Sequence, residues 1–104
     1  MEMHLIQLLL PLYDNAGQPF PPARFAQVRA ELAERFGGVT AYTRAPATGL
    51  WEDDDGQLQR DEVVLFEVMA DALDRAWWLH YRNALQVRFC QDEILVRATR
   101  AERL

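Results

Sequence analysis

Val63-Val64-Leu65-Phe66-Glu67-Val68-Met69 is apolar at nearly every position, on both of the faces a β-strand presents in alternation. A strand with one side in water would alternate apolar with polar residues, so this one is covered from two sides and belongs in the middle of a sheet. The strand starts at about Gln57. Far upstream, His4 to Tyr13 has the same double-faced character through Leu5, Ile6, Leu8, Leu9 and Leu10. The chain therefore has two central strands, and the segments around them must supply edges and cover.

Between these strands, Asp14-Asn15-Ala16-Gly17-Gln18-Pro19-Phe20-Pro21-Pro22 is dense in turn formers. It leads into a helix, with proline tolerated in the first turn. Phe25, Val28, Leu32 and Phe36 recur at helical spacing, and Gly37-Gly38 offers the left-handed exit that ends many helices. Val39-Thr40-Ala41-Tyr42-Thr43-Arg44 then alternates with period two. Pro46 and Gly49 interrupt that strand without ending it, because Leu50-Trp51 resumes before the polar turn Glu52-Asp53-Asp54-Asp55-Gly56. The turn makes a hairpin with the strand that ends at Met69. Beyond it, Asp71 is the expected N-cap of a second helix reaching about Phe89, with Leu73, Ala76, Trp77, His80, Tyr81, Ala84 and Leu85 on its inner stripe. Glu93 to about Arg100 forms the last strand.

The order β-α-β-β-α-β, with right-handed crossovers and a hairpin between strands two and three, predicts an α+β fold of the ferredoxin-like kind. Its four-stranded antiparallel sheet has the order 4-1-3-2. That order places the two doubly apolar strands in the middle, as their composition demands. A chain of 104 residues is one domain, 1–104, since two cores would each be too small. With 50% hydrophobic and 26% charged residues it has the balance of a globular protein.

A net charge of −5 argues against nucleic acid as a partner, because phosphate binding needs clustered Lys and Arg. The lone Cys90 excludes an internal disulfide and cannot hold a metal by itself; packing is its expected role, and a cytoplasmic location the default. The run Leu5 to Leu12 is broken by Gln7 and Pro11 and reads as a strand, not a signal peptide. No segment is apolar for long enough to span a membrane.

Sorted by face, Ile6, Leu8, Leu10, Val39, Ala41, Val64, Phe66, Val68, Ile94, Val96 and Ala98 form one apolar set, on which both helices should pack. The opposite set is mixed: Leu5, Gln7, Leu9, Tyr42, Arg44, Val63, Leu65, Glu67, Met69, Leu95 and Arg97. Leaving its aliphatic side chains in water would forgo roughly 1.5–3 kcal/mol each, and apolar patches of that size mark interaction surfaces. A second copy of the chain is the simplest cover, giving a homodimer of the dimeric α+β barrel type.

Arg35-Phe36-Gly37-Gly38-Val39-Thr40, Gly49-Leu50-Trp51 with the acidic turn after it, and Tyr81 with Arg88-Phe89-Cys90-Gln91-Asp92-Glu93-Ile94-Leu95-Val96 together resemble a family of small bacterial proteins. The family pattern pairs Arg-Phe-x-Gly-x-Thr at a strand start with Gly-x-Trp and a closing Arg-Phe-x-Gln-x-x-Val-Leu-like segment. The resemblance implies a ferredoxin-like, dimeric α+β barrel fold and no established activity. Where the pattern has glycine before Gln91, this chain has Cys90.

No catalytic motif stands out, and neither a cofactor nor a metal is expected. Asp53-Asp54-Asp55-Gly56 lacks the alternate ligand spacing and the distal glutamate of a calcium loop, so it reads as a solvated turn. Two residues are candidate bases, Glu67 among apolar neighbours and His80 beside the helix-two stripe; the structural alternatives are an ion pair of Glu67 with Arg97 or Arg44 across the dimer seam and a hydrogen-bonded core histidine. Gln7, Tyr42, Arg44 and Arg97 project to the same mixed face and suit a small-ligand pocket, with polar groups set among apolar walls. Two functions follow. The first is a non-catalytic dimeric domain that binds a small ligand or a protein partner on the mixed face. The alternative is a cofactor-independent enzyme, monooxygenase- or isomerase-like, with Glu67 or His80 as base beside Tyr42 and Arg44.

Overall fold

Strand β1, Glu2–Pro11, occupies the interior of the sheet, antiparallel to β3 on one side and to β4 on the other. This is a computed structural model, and it describes residues 2–52 and 58–104, with the side chains of residues 3–42 and 63–104. The elements follow as α1 (Pro22–Phe36), β2 (Thr40–Glu52), β3 (Leu58–Ala70), α2 (Arg75–Arg88) and β4 (Leu95–Glu102). The strand order is β2-β3-β1-β4, the order expected from the pattern, and the architecture is α+β and ferredoxin-like.

One face of the sheet is the floor of the core. Ile6, Leu8, Leu10, Val64, Phe66 and Val68 are buried there beneath Phe25, Val28 and Leu32 of α1 and Trp78, Tyr81 and Leu85 of α2. At ~25 cal/mol per Å² of apolar surface removed from water, this layer is the main stabilising term. Val39, Ala41 and Val96 are partly buried against it, while Ala98 on the edge strand is exposed. Phe20, in the loop before α1, is also core: its ring packs edge-on to Phe89 with centroids 5.0 Å apart.

The helix ends explain where the elements stop. Pro22 opens α1, and Gly37, at φ 78°, closes it by donating its N–H to the Ala33 carbonyl. Helix α2 starts later than expected. Its N-cap is Asp74 and not Asp71, because the Asp74 carboxylate accepts the Trp77 N–H at 3.1 Å. The inward-facing stripe is also one residue out of step with the expected one. Trp78 is buried and Trp77 half-buried, whereas Ala76 and His80, expected on the inner stripe, are exposed. His80 lies two residues from Trp78, about 200° around the helix, so it cannot share the buried side.

Both tryptophans join Phe36 and Tyr81 in an aromatic cluster between the helices, and the Arg35 guanidinium lies 4.2 Å from the Trp77 ring centroid. At the far end of α2, Cys90 takes φ 52° and donates to the Val87 carbonyl, while the Gln91 N–H reaches the Gln86 carbonyl. This left-handed exit is the conformation that glycine adopts without strain. Cys90 is exposed and does not pack in the core.

In β2 the pairing with β3 shifts register between Tyr42 and Ala47, the stretch that holds Pro46. A proline there cannot contribute to the ladder, and a bulge accommodates it. The expected acidic turn lies, from Asp53 onward, outside the described residues, and so does the calcium-loop comparison.

Candidate functional site

The sheet face turned away from the helices has a polar line across it. Cross-strand register places Gln7 of β1 opposite Glu67 of β3 and opposite Arg97 of β4. Side chains directly opposite on one face meet, and these do. The Arg97 Nε–H donates to Gln7 Oε1 at 2.7 Å, Gln7 Nε2 donates to Glu67 Oε1 at 2.7 Å, and the Tyr42 hydroxyl donates to Glu67 Oε2 at 3.3 Å. Four strands thus contribute one side chain each.

The order of charges fixes the central amide. A guanidinium can only donate and an ionised carboxylate can only accept, so Gln7 must turn its carbonyl to Arg97 and its NH₂ to Glu67. The row runs from a cationic end on the edge strand β4 to an anionic centre on β3. Within one chain, and among the described residues, Glu67 is bound by an amide and a phenol, and Gln7 links it to Arg97; the expected ion pair across a dimer seam involves a second copy.

Apolar rows flank this line one strand repeat away on each side, ~7 Å along the strands. Leu95, Leu9 and Leu65 stand opposite one another on one side, with Tyr42 paired to Leu65, and Leu5 faces Met69 on the other. Their exposure is high for apolar groups: 48% for Leu95, 45% for Tyr42 and 41% for Met69. Leu5, Leu9, Val63 and Leu65 are half-buried. Neither helix touches this side, since both pack on the opposite one.

Arg44 and His80 are the remaining candidates. The Arg44 side chain is not among those described. His80 is exposed on α2, on the other side of the sheet from Glu67, so one chain does not bring the two candidate bases together.

A second polar cluster, unforeseen from the sequence, ties the helices together. Arg88 binds the Glu31 carboxylate through both terminal nitrogens, at 2.5 and 2.8 Å, and the Tyr81 hydroxyl donates to the same carboxylate at 2.9 Å. Arg24 adds a bond from its guanidinium to the Arg88 carbonyl at 2.8 Å. The hydrogen bond from Arg88 holds the Glu31 carboxyl below its ordinary range against the opposing effect of burial, and Tyr81 lowers it further. Burial, followed by the bond to Glu31, pushes the Tyr81 phenol above its ordinary value. All three groups are satisfied, and the cluster acts as a clamp between α1 and α2.

Among the described residues, no three of His, Cys, Asp and Glu gather as a metal site, and no helix is long and apolar enough to cross a membrane. The fold and its polar row define a small ferredoxin-like α+β domain with one sheet face open. Two solved structures share that fold. A phage SAM lyase in complex with S-methyl-5'-thioadenosine superposes with a TM-score of 0.60 at 14% identity, over 93% of this chain and 80% of the other. A phage SAM lyase in the apo state gives 0.53 at 16% identity, over 95% and 79%. No family model and no curated protein matches the chain.

Proposed function

We propose that the open sheet face is a small-molecule binding surface, covered by a second copy of the chain. The observation that carries this reading is the row Arg97–Gln7–Glu67–Tyr42 crossing an otherwise aliphatic surface. A few fixed polar groups among apolar walls are what an orienting ligand site requires. Tyr42, Leu95 and Met69, each more than two-fifths exposed, are the groups a second copy would cover. Glu67 suits ligand hydroxyls or amines, Arg97 has donors beyond the one given to Gln7, and the leucine rows suit a flat or aliphatic body.

S-methyl-5'-thioadenosine, which the similarly folded phage lyase holds, combines such parts and is the first ligand to try. Calorimetric titration should show saturable binding. Glu67→Gln should weaken it about tenfold or more, the worth of a hydrogen bond to a charged group. Absence of binding to the native chain, or equal binding by the variant, would contradict the assignment.

A second reading is catalysis by this face, favoured by the fact that the two similarly folded structures named above are lyases. In that reading Glu67, beside Tyr42, is the base that takes a proton from the four-carbon amino-acid chain of SAM as its C–S bond breaks, giving S-methyl-5'-thioadenosine and an unsaturated four-carbon amino acid. Incubation with SAM followed by chromatography separates the two readings: S-methyl-5'-thioadenosine appearing with the native chain and not with Glu67→Gln supports catalysis, and binding without turnover supports a binding module.

A further inference from the structure

The helix-covered side of the sheet is not sealed at its edge. Between α2 and β4 lies a cavity of about 350 Å³, open to solvent and lined by Ile6, Leu73, Trp78, Leu79, Val96 and Ala98 together with Arg75 and Arg82. Arg97 also borders it, but its side chain is engaged on the opposite face by Gln7. Helix α2 leaves this edge uncovered because its buried residues, Trp78, Tyr81 and Leu85, point toward the sheet centre and α1. Leu79 is consequently 53% exposed and Ala98 is open at the groove floor.

The charge of the groove runs against that of the protein. The chain has a net charge of −5, yet among the described residues no acidic one lines this cavity and three arginines do, Arg75, Arg82 and Arg97, the last already engaged by Gln7. Arg75 and Arg82 are seven residues apart, two turns on one side of α2 and about 10 Å along its axis, close enough for two long side chains to converge on one group. The Arg82 Nε lies buried without a hydrogen-bond partner among the described residues. Nε itself is closed off from the groove, so a ligand there would meet the rest of the Arg82 guanidinium, and an anion beside it would offset the desolvation of a charge that has no partner among the described residues. A guanidinium fork matches carboxylate and phosphate oxygens, and the apolar floor has no use for a fully hydrated ion.

We propose that this groove binds a small amphipathic anion, a carboxylate on an aliphatic body, with Arg82 and Arg75 on the charged head and Trp78, Leu79, Val96 and Ala98 against the body. The site is separate from the open face and stands without it. The test is an NMR titration of the ¹⁵N-labelled full chain with decanoate below its micellar range, with decanol and inorganic phosphate as parallel probes. Decanoate should move the Trp78 indole N–H and the Val96 and Ala98 amides, while decanol and phosphate each bind about tenfold more weakly or worse. Arg82→Gln and Arg75→Gln should each weaken decanoate by about tenfold. Arg75 is exposed, so its variant should keep the native melting temperature and decides the matter should Arg82→Gln fail to fold. Decanol or phosphate binding as tightly as decanoate, unchanged affinity in Arg75→Gln, or shifts confined to Leu65 and Glu67 would overturn the proposal.

Discussion

Cys90 shows how much one side chain can reveal about its backbone. It holds φ 52° at the end of α2, and the hydrogen bonds from Cys90 and Gln91 that close the helix depend on that conformation. A residue with a Cβ is strained there, so Cys90→Gly should raise stability by about 0.5–1 kcal/mol in denaturant unfolding, despite the added freedom of the unfolded chain. A loss of stability would show that the thiol makes a contribution the backbone argument omits. The Glu31–Arg88–Tyr81 clamp makes a different prediction, one of pH. Glu31 is depressed in the fold, so its contribution is present above the ordinary carboxylate value of 4.5 and fades as pH falls through the folded value. Tyr81 is raised, so its contribution is intact below 10.0 and declines as the unfolded phenol ionises above it. In Glu31→Gln the acid-side loss should flatten. Because these side chains are about a third exposed, the substitution itself should cost only about 1 kcal/mol, measured by urea midpoint near neutrality.

For strands, the sequence was informative because β1 and β3 carry apolar residues on both faces, although within one chain only one of those faces is buried. Strands β1 and β3 could be placed centrally from Leu8, Leu10, Val64 and Phe66 together with Leu9 and Leu65, and the sheet order follows from that placement. Helix α2 was less legible. Asp71 and Asp74 are both good caps by composition, and only the geometry of the Asp74 carboxylate on the Trp77 N–H chooses between them. Which stripe faces inward is a separate matter of packing, which puts Trp78, Tyr81 and Leu85 in the core and leaves His80 in water. Asp74→Ala should cost about 1 kcal/mol and Asp71→Ala close to nothing, a comparison that thermal melts can make directly. Equal effects would mean that the cap is shared. The polar row was legible only as a set. Alternation puts Gln7, Glu67 and Arg97 on one face, but which of them bond depends on register, and register comes from the ladder and not from composition. The Glu31–Arg88 clamp could not be read at all, since its partners sit on two helices whose mutual phase only packing determines.

The assembled sheet has two unlike sides. One is closed by both helices over an aliphatic and aromatic core; the other carries Leu5, Leu9, Leu65, Met69 and Leu95 around a hydrogen-bonded polar line, with neither helix above it. A surface of that kind is either costly or occupied, and the proposed function rests on its being occupied by a second copy with a ligand between. The most direct check is sedimentation equilibrium of the native chain beside Leu65→Asp, with circular dichroism to confirm that both retain their helices. The account predicts a dimer for the native chain and a monomer for the variant, because a carboxylate at the centre of the seam would have no partner. A native chain that stays monomeric at high concentration, or a variant that dimerises as well as its parent, would contradict it.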